Sequence, residues 1–397
     1  MSKVIWLASW YPNEYEPVVG DFIQRHAKAV AELMPITVIH VLQLGKDTKA
    51  KDKIKVNENG NLKEIIHYFS YNKMGISWLD KLLYNSRYLR YYEKVLKQYV
   101  KQNGKPLLLH VHVPIKAGIV ARKISKQWKI PYIVSEHSSL YLKEAKDNFY
   151  NRTLFFRYHT KKIFRDAAFV TNVSATIGNV IKQMFGLKEV ITIPNVVNTK
   201  YFNYQPKEKN KIFRWLHVST LFPLKNPEGI IHAFHGLSQK RNNWELVICG
   251  GPVHAYLTEL VSSLELSNKI KFTGEIPYKK VAKQMQNADA FVFFSKHENF
   301  PCVIAEALCC GLSLVSSNVG GIAEAINKSN GLLVQSEDTD ALEKALIELM
   351  DNQTKYQAQY ISNTAIEKYN YSTIAKQFIA LYHQLIKTNH TDLSDYY

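Results

Sequence analysis

Two carboxylates stand in one of the most apolar stretches of this 397-residue chain, KHENFPCVIAEALCCGLSLVSSNVGG at residues 296–321. They are Glu298 and Glu306. A buried carboxylate lowers stability strongly unless a partner bonds to it. The stretch therefore predicts a ligand or a side-chain partner for each of the two acids.

The local pattern places these acids around the start of a helix. Glu298 follows the strand-like run AFVFFS, and Pro301 stands at the first-turn position that proline favours. The free N–H groups of a helix start, at the carboxyl edge of a parallel sheet, bind anions such as a diphosphate. At 1.5 Å per residue, Glu306 would lie roughly 7 Å beyond that anion, a distance that a nucleoside ribose reaches.

A carboxylate can accept hydrogen bonds from two vicinal hydroxyls without needing a cation. A ribose would thus explain Glu306. The alternatives are that the helix dipole favours the charge of Glu298 and that Glu306 makes a surface ion pair. The spacing alone leaves these alternatives open.

The elements that must position these residues are short β-rich runs alternating with helical patterns, which predicts βαβ units on parallel sheets. The length predicts two domains. Each half is expected to be a doubly wound sheet of about six strands. The strands are predicted at residues 4–9, 36–42, 107–113, 132–136, 168–173 and 190–194, then at 212–219, 244–250, 269–274, 290–295, 312–317 and 331–335. The join is expected within residues 198–211, and one more amphipathic helix follows the last strand.

The net positive charge is confined to one half of the chain. Residues 1–200 hold 32 Lys and Arg against 15 Asp and Glu, whereas residues 201–397 hold 19 of each, so the first half carries the whole net charge of +17. Such a field favours an anionic partner, and an anionic membrane surface is the partner we expect. A nucleic-acid binder is the alternative, but the basic residues are dispersed and no RNA-binding motif is present.

A predicted helix at residues 78–102 interleaves basic residues with five tyrosines. This pattern is typical of a helix that binds at a membrane interface. The alternative is a helix that packs on the core and exposes a basic face to solvent. The tyrosines are Tyr84, Tyr88, Tyr91, Tyr92 and Tyr99.

No signal peptide and no membrane span are expected, because the apolar run near Met1 is short and no later run is long enough to span a membrane. The cysteines Cys249, Cys302, Cys309 and Cys310 lack zinc-site spacing and are interpreted as reduced. We therefore expect a cytoplasmic protein, with peripheral attachment to the inner face of the membrane as a possibility. No catalytic metal is expected, because the DTD at 338–340 is interpreted as a helix N-cap and the HVH at 110–112 has no third ligand.

Motifs along nearly the whole chain resemble the retaining glycosyltransferases of family 4, also described as glycosyl transferases group 1. The resemblance implies a GT-B fold, with two Rossmann-like domains facing a cleft. It implies an acceptor domain at 1–198 that includes a returning helix at about 371–390, and a donor domain at 205–368. The motifs are the Glu-x7-Glu segment with the following NVGGIAEAI, and WYPNEYEPVVGDFIQRHAKAVAEL, LHVHVP, IVSEHSS, NVSATI, IPNVVNTKYF, HVSTLFPLKNPEGII and FTGEIP.

The resemblance implies a role for each matched residue. The expected catalytic residues are His137 near the donor sugar, Glu298 at the sugar or its phosphates, and Lys225 at the diphosphate. Glu306 would hold the ribose, and the backbone at Gly20 would lie against the transferred group. His112 is expected to line the acceptor cleft, and the remaining donor-binding residues are Thr220, Asn299, Phe300, Pro301 and Cys302.

Each of three matched residues also has a structural interpretation. Lys225 would be a solvated loop lysine, Gly20 a glycine at a helix start and His137 a structural histidine. Thr220 departs from the family, which has an arginine at this position, five residues before the lysine. Without the charged hydrogen bond that this arginine would donate, phosphate binding would be weaker by about 1.5 to 3 kcal/mol.

The function that the resemblance implies is transfer of a sugar from a nucleotide diphosphate sugar to a glycan or lipid-linked acceptor in cell-surface glycan synthesis. Configuration would be retained, with no enzyme nucleophile, metal or other cofactor. A sugar-nucleotide epimerase or hydrolase of the same fold is the alternative. The two can be distinguished because an epimerase or hydrolase forms its product without an acceptor.

Overall fold

The computed structural model describes residues 4–44, 52–70, 77–208 and 211–389. They divide into two compact units. The first unit takes the described residues of Met1–Pro194 and Tyr371–Tyr397, and the second takes those of Asn195–Asn370.

The sheet of the first unit has the strand order β3-β4-β2-β1-β5-β6-β7-β8 over the described residues. Its pairs are parallel except for β3 with β4. The strands are β1 (Val4–Ala8), β2 (Ile36–Leu44), β3 (Lys53–Asn59), β4 (Leu62–Ser70), β5 (Leu108–His112), β6 (Tyr132–Glu136), β7 (Phe169–Asn172) and β8 (Ile191–Thr192).

Helices cover this sheet, and the central strands β1, β5 and β6 are buried along their whole length. Helices α2 to α5 and the sheet enclose one large apolar core. The last helix, α12, packs against α1, as expected for a C-terminal helix that returns to the first unit. The helices are α1 (Asp21–Ala31), α2 (Ser77–Asn103), α3 (Ala117–Trp128), α4 (Leu154–Asp166), α5 (Ala175–Phe185) and α12 (Tyr371–Asn389).

The second unit has a six-stranded, all-parallel sheet in the order β11-β10-β9-β12-β13-β14 over the described residues. Its strands are β9 (Phe213–Val218), β10 (Trp244–Cys249), β11 (Ile270–Gly274), β12 (Ala290–Phe293), β13 (Ser313–Ser317) and β14 (Gly331–Val334). Its helices are α6 (Pro227–Ser238), α7 (Ala255–Ser263), α8 (Tyr278–Asn287), α9 (Cys302–Cys309), α10 (Thr339–Asp351) and α11 (Ala358–Tyr369). Each strand predicted from the sequence is present in these sheets.

The β3–β4 hairpin is the element that the sequence analysis missed. Strand β3 lies at the sheet edge and is exposed along nearly its whole length. It is rich in lysine, asparagine and glutamate and lacks the apolar run that identified the other strands, and charged side chains are typical of an unpaired strand edge. The sheet of the first unit is therefore larger than predicted.

Helix α2 turns its aromatic residues inward. Tyr88 and Tyr92 are buried, and Tyr84, Tyr91 and Tyr99 pack against the same core. Over residues 83–103 its exposed positions are basic or polar. This arrangement favours the core-packing alternative for this helix.

No helix in the described part of the chain is long and apolar enough to cross a membrane. The DTD segment has the predicted role, because the carboxylate of Asp338 accepts a hydrogen bond of 2.8 Å from the Ala341 N–H at the start of α10.

Candidate functional site

The second sheet has a topological switch point between β9 and β12. From β9 the chain extends the sheet through β10 to β11, and from β12 it extends the other way through β13 to β14. The loops that follow β9 and β12 meet there, since the Lys296 N–H donates a hydrogen bond of 2.9 Å to the Leu224 carbonyl. Open α/β sheets bind ligands beyond the carboxyl ends of their strands at such a point.

Lys225 and Glu298 come together at this switch point. The Lys225 ammonium donates to the carboxylate of Glu298, which also accepts a hydrogen bond of 2.7 Å from the Ser295 hydroxyl. The Glu298 residue is only 8% exposed. Both residues can be charged although they are largely buried, because the attraction between them offsets much of the free-energy cost of desolvating each charge.

The turn after β13 fixes the backbone around Glu298. Gly320 has a φ of 53°, and a Cβ placed on it would lie 1.9 Å from the Glu298 carbonyl oxygen. The next residue, Gly321, donates its N–H to the Asn299 carbonyl at 2.7 Å. Only glycine allows this close approach, which explains why the NVGG segment follows the Glu-x7-Glu segment.

Helix α9 begins immediately after this fixed backbone. Pro301 is the N-cap with extended backbone angles, and Cys302 is the first helical residue. The side-chain amide of Asn195 donates to the Phe300 carbonyl at 2.7 Å. The predicted helix start is therefore present, and hydrogen bonds from Gly321 and Asn195 hold the two residues before it.

Glu306 lies inside α9 and is 2% exposed. Its carboxylate accepts a hydrogen bond of 2.9 Å from the hydroxyl of Tyr278, the first residue of α8. Tyr278 was not among the residues singled out from the sequence. The carboxylate accepts from a neutral hydroxyl, which is the type of donor that a ribose also presents.

The loop after β9 carries Thr220 on the surface. Beneath it, the ring of His217 contacts the Ser219 hydroxyl at 2.7 Å and the Val292 carbonyl at 2.9 Å. Burial, with a smaller contribution from the nearby charge of Lys225, lowers the pKa of His217 to about 4. A neutral His217 leaves Lys225 as the cation of this loop.

The first sheet has its own switch point, between β1 and β5. The Ser9 hydroxyl joins the two strand ends, donating to the Val113 carbonyl at 2.7 Å and accepting from the Ala117 N–H at 3.0 Å. Gly20 precedes α1 with a φ of 74°, and a Cβ there would lie 2.7 Å from the Trp10 carbonyl carbon. Gly20 thus lets the loop after β1 fold tightly onto the start of α1.

Four histidines cluster beside this switch point of the first sheet: His26, His110, His112 and His137. The Nδ1 of His112 lies 3.3 Å from the Nε2 of His137, so one ring donates and the other accepts. His110 contacts the hydroxyls of Tyr382 and Ser135, each at 2.7 Å. The structure brings the two predicted histidines, His112 and His137, together.

Burial keeps this histidine cluster neutral. It lowers the pKa of His26 to about 4 and the pKa values of the other three well below the usual value, and for those three the neighbouring histidines add to the effect. Within the described ranges, no group of three His, Cys, Asp or Glu side chains has the geometry to hold a metal ion.

Glu136, which the sequence analysis did not single out, holds the loop that carries His137. Its carboxylate accepts hydrogen bonds from the His137 N–H at 2.7 Å, the Ser138 N–H at 2.9 Å and the Tyr141 hydroxyl at 2.6 Å. The residue is 1% exposed, and burial raises the pKa of its carboxyl despite these bonds. The sequence signal that could have identified Glu136 is an acidic residue at the end of a predicted strand, within the SEHSS segment.

Two protein families match the chain in succession. The family described as Glycosyltransferase Family 4 matches residues 36–201, and the family described as Glycosyl transferases group 1 matches residues 198–367. The matches meet close to the division between the two units.

Individual proteins agree with these matches. TuaC of Bacillus subtilis, which is named as a teichuronic acid biosynthesis glycosyltransferase, is 24% identical over 398 residues, covering 95% of each chain. The solved structure of sucrose-phosphate synthase from Thermosynechococcus elongatus has a TM-score of 0.75 at 18% identity, covering 97% of this chain and 99% of that one. HepE of Anabaena, solved with UDP and glucose, has a TM-score of 0.70 at 17% identity, covering 96% and 100%.

Proposed function

Since the chain belongs to the family 4 glycosyltransferases and has the GT-B fold, as its motifs predicted, we propose that it transfers a sugar with retention of configuration. The donor is a nucleotide diphosphate sugar, and the acceptor is a lipid-linked or polysaccharide glycan of the cell surface. The name of TuaC supports the acceptor class, and UDP in the HepE structure supports the donor class.

The observation that carries the proposal is the Lys225–Glu298 pair at the switch point of the second sheet. A donor diphosphate placed at the start of α9 would give Lys225 a doubly anionic partner. Glu298 would then accept hydrogen bonds from the donor sugar, and Glu306 from the ribose. The helix-start residues Asn299, Phe300, Pro301 and Cys302 contribute the anion-binding backbone, and Thr220 borders the site.

In the reaction, the bond between C1 of the sugar and the diphosphate oxygen breaks, and the diphosphate takes the electron pair. Lys225 and the helix dipole stabilise that charge. The acceptor hydroxyl attacks C1 from the same face, and its proton goes to the departing phosphate. This route needs neither an enzyme nucleophile nor a divalent ion.

The first unit supplies the acceptor side in this proposal. His137 acts beside the donor sugar, His112 lines the acceptor cleft, and the backbone at Gly20 lies against the transferred group. Because the cluster is neutral, His137 can accept or donate a hydrogen bond without adding charge. The four cysteines are free, which supports a reducing compartment such as the cytoplasm.

The test is a screen of nucleotide sugars for nucleotide release, with and without lipid-linked acceptors, in EDTA. We expect one donor class to react, faster with acceptor, and the anomeric configuration of the product to match that of the donor. Loss of activity in EDTA with rescue by Mg²⁺ or Mn²⁺ would contradict the metal-free route. A product formed equally well without acceptor would favour an epimerase or a hydrolase.

A further inference from the structure

Helix α4 exposes large apolar side chains at its beginning. Leu154 is 79% exposed, Tyr158 58% and Phe155 39%, and Tyr150 just before the helix is 52% exposed. Leu154 and Tyr158 are four residues apart and so share one helix face. Among the large apolar residues that the structure describes as exposed, Leu154 has the highest exposure.

These apolar residues lie in a strongly basic segment. Residues 150–165 hold five Lys and Arg and no Asp or Glu. The Lys162 ammonium lies 5.9 Å from the centre of the Tyr158 ring, and the Arg152 guanidinium lies 5.7 Å from that of Phe156. Apolar and cationic groups are thus interleaved on one surface.

The opposite face of α4 anchors the helix in the fold. Thr160, Ile163 and Phe164 are buried, and Ile163 and Phe164 belong to the main core of the first unit. The outward side chains therefore contribute little to folding, and they can be replaced without opening the core.

The position of this face is also informative. Residues 137–153 connect the carboxyl end of β6 to the start of α4. The helix therefore begins at the edge of the first sheet that carries His137 and Gly20. A surface bound there would lie beside the proposed acceptor side of this unit.

We propose that this α4 surface docks on an anionic lipid bilayer. It consists of Tyr150, Leu154, Phe155, Tyr158, Lys161 and Lys162. Interleaved apolar and basic residues on one helix are typical of interfacial binding, in which the apolar groups enter the acyl boundary and the cations face lipid phosphates. A soluble polyanion would engage the cations but would leave Leu154 in water.

This assignment replaces α2 as the docking helix, because the tyrosines of α2 face the core. Docking itself does not depend on the proposed function. Only its biological purpose does, which is to bring the enzyme to a lipid-linked acceptor. Docking is measured by vesicle flotation without any sugar transfer, so failure of one proposal is distinguishable from failure of the other.

The experiment is flotation of the full chain with vesicles of phosphatidylglycerol and phosphatidylcholine, compared with phosphatidylcholine alone. We expect binding to the anionic vesicles, weakened at 1 M salt, where the Debye length falls from about 8 to about 3 Å. Lys161→Gln/Lys162→Gln should lower the partition coefficient about 30-fold. Leu154→Ser should lower it about 10- to 100-fold.

Matched variants make the test specific. Tyr360 of the second unit is 58% exposed, like Tyr158, so Tyr360→Ser should leave flotation unchanged while Tyr158→Ser reduces it. Lys94→Gln/Lys101→Gln removes two exposed cations from α2 and should also change nothing. Far-UV circular dichroism and the melting temperature check that each variant is folded.

Several results would overturn the proposal. They are no flotation of the parent, equal flotation on neutral vesicles, undiminished flotation of the α4 variants, and an equal loss in the α2 variant. A parent dimer that Leu154→Ser dissociates in sedimentation velocity would instead assign the surface to self-association.

Discussion

The carboxyl edges of the two sheets hold opposite kinds of polar chemistry. At the first switch point, four clustered histidines are kept uncharged by burial. At the second, Lys225 and Glu298 remain together as an ion pair beside the buried Glu306. The net charge of the sequence would have suggested charged groups at the first edge and uncharged groups at the second, because residues 1–200 carry a net charge of +17 and residues 201–397 carry a net charge of zero.

The difference shows that surface charge and buried charge follow separate rules. A buried histidine avoids the cost of desolvation by losing its proton, whereas Lys and Glu at close range offset much of that cost for each other. On α2, for example, exposed basic residues face outward: Arg87, Arg90, Lys94, Lys97 and Lys101. The charge that the proposed reaction needs, that of Lys225, lies in the half with no net charge.

The largest expected effect is on acid stability. The unfolded chain protonates its histidines near pH 6.5 and the folded first unit does not, so the free energy of unfolding falls as pH drops from 6.5 to about 4. His26 alone accounts for roughly 3 kcal/mol. Glu136 acts in the opposite direction, because its carboxyl pKa is raised. Arg25 adds to the shift of His26.

Hydrogen exchange at pH 7.5 and pH 5, corrected for the intrinsic rate, would measure this effect. Strands β1 and β5 should lose more protection at pH 5 than β9 and β12, because the first unit holds the cluster of four buried histidines whereas β9 carries one buried histidine of lowered pKa, His217. The exposed His232 serves as a control, since His232→Gln should leave the profile unchanged. Equal loss in both units would contradict the contrast between the two edges.

The next effect is on catalysis. Lys225→Ala should lower kcat about 10²- to 10³-fold, because it removes the cation that stabilises the leaving diphosphate. Lys296 in the neighbouring loop, where its ammonium pairs with Glu337 at 2.6 Å, is the control, and Lys296→Ala should have little effect.

Lys225→Ala also leaves Glu298 without its cation, which could lower stability. The double variant Lys225→Met/Glu298→Gln removes both charges and should restore the melting temperature while the enzyme stays inactive. Recovery of activity in that double variant would show that Lys225 acts only by neutralising Glu298.

A smaller effect is expected at Thr220, which is exposed on the loop after β9. Thr220→Arg introduces the arginine of the family pattern, and one charged hydrogen bond to the diphosphate would strengthen donor binding by about 1.5 to 3 kcal/mol. Calorimetric titration with the nucleoside diphosphate measures it. Thr220→Gln, which is polar but uncharged, is the control. Unchanged affinity in Thr220→Arg would place the phosphates elsewhere.

Features of the fold and site that depend on local sequence could be predicted, whereas features that depend on tertiary packing could not. Alternating apolar patterns and the glycine-rich turn are local, so the sequence predicted the strands and the start of α9. The family resemblance singled out His112 and His137, but their contact at 3.3 Å joins two strand ends and was not predicted. The Tyr278–Glu306 bond joins residues of two helices, and no pattern within either helix indicates it. The aromatic residues of α2 and α4 look alike in sequence, and only tertiary packing decides which of them are buried.

The central claim is that the second edge binds the donor nucleotide through Glu306. The most direct measurement compares Glu306→Ala with the parent enzyme, using the normal donor and its 2′- or 3′-deoxyribose analogue. Losing one charged hydrogen bond costs about 1.5 to 3 kcal/mol, so Glu306→Ala should lower kcat/KM by at least roughly 10- to 150-fold. Tyr278→Phe removes the hydroxyl bonded to Glu306 but keeps the carboxylate, so it should cost much less.

The account predicts strong non-additivity, because the mutation and the deoxy donor delete the same interaction. The deoxy donor should therefore lose little more in Glu306→Ala than in the parent. If Glu306→Ala penalises the deoxy donor as heavily as the normal one, or if Tyr278→Phe costs as much as Glu306→Ala, the carboxylate serves the structure and the ribose assignment is wrong.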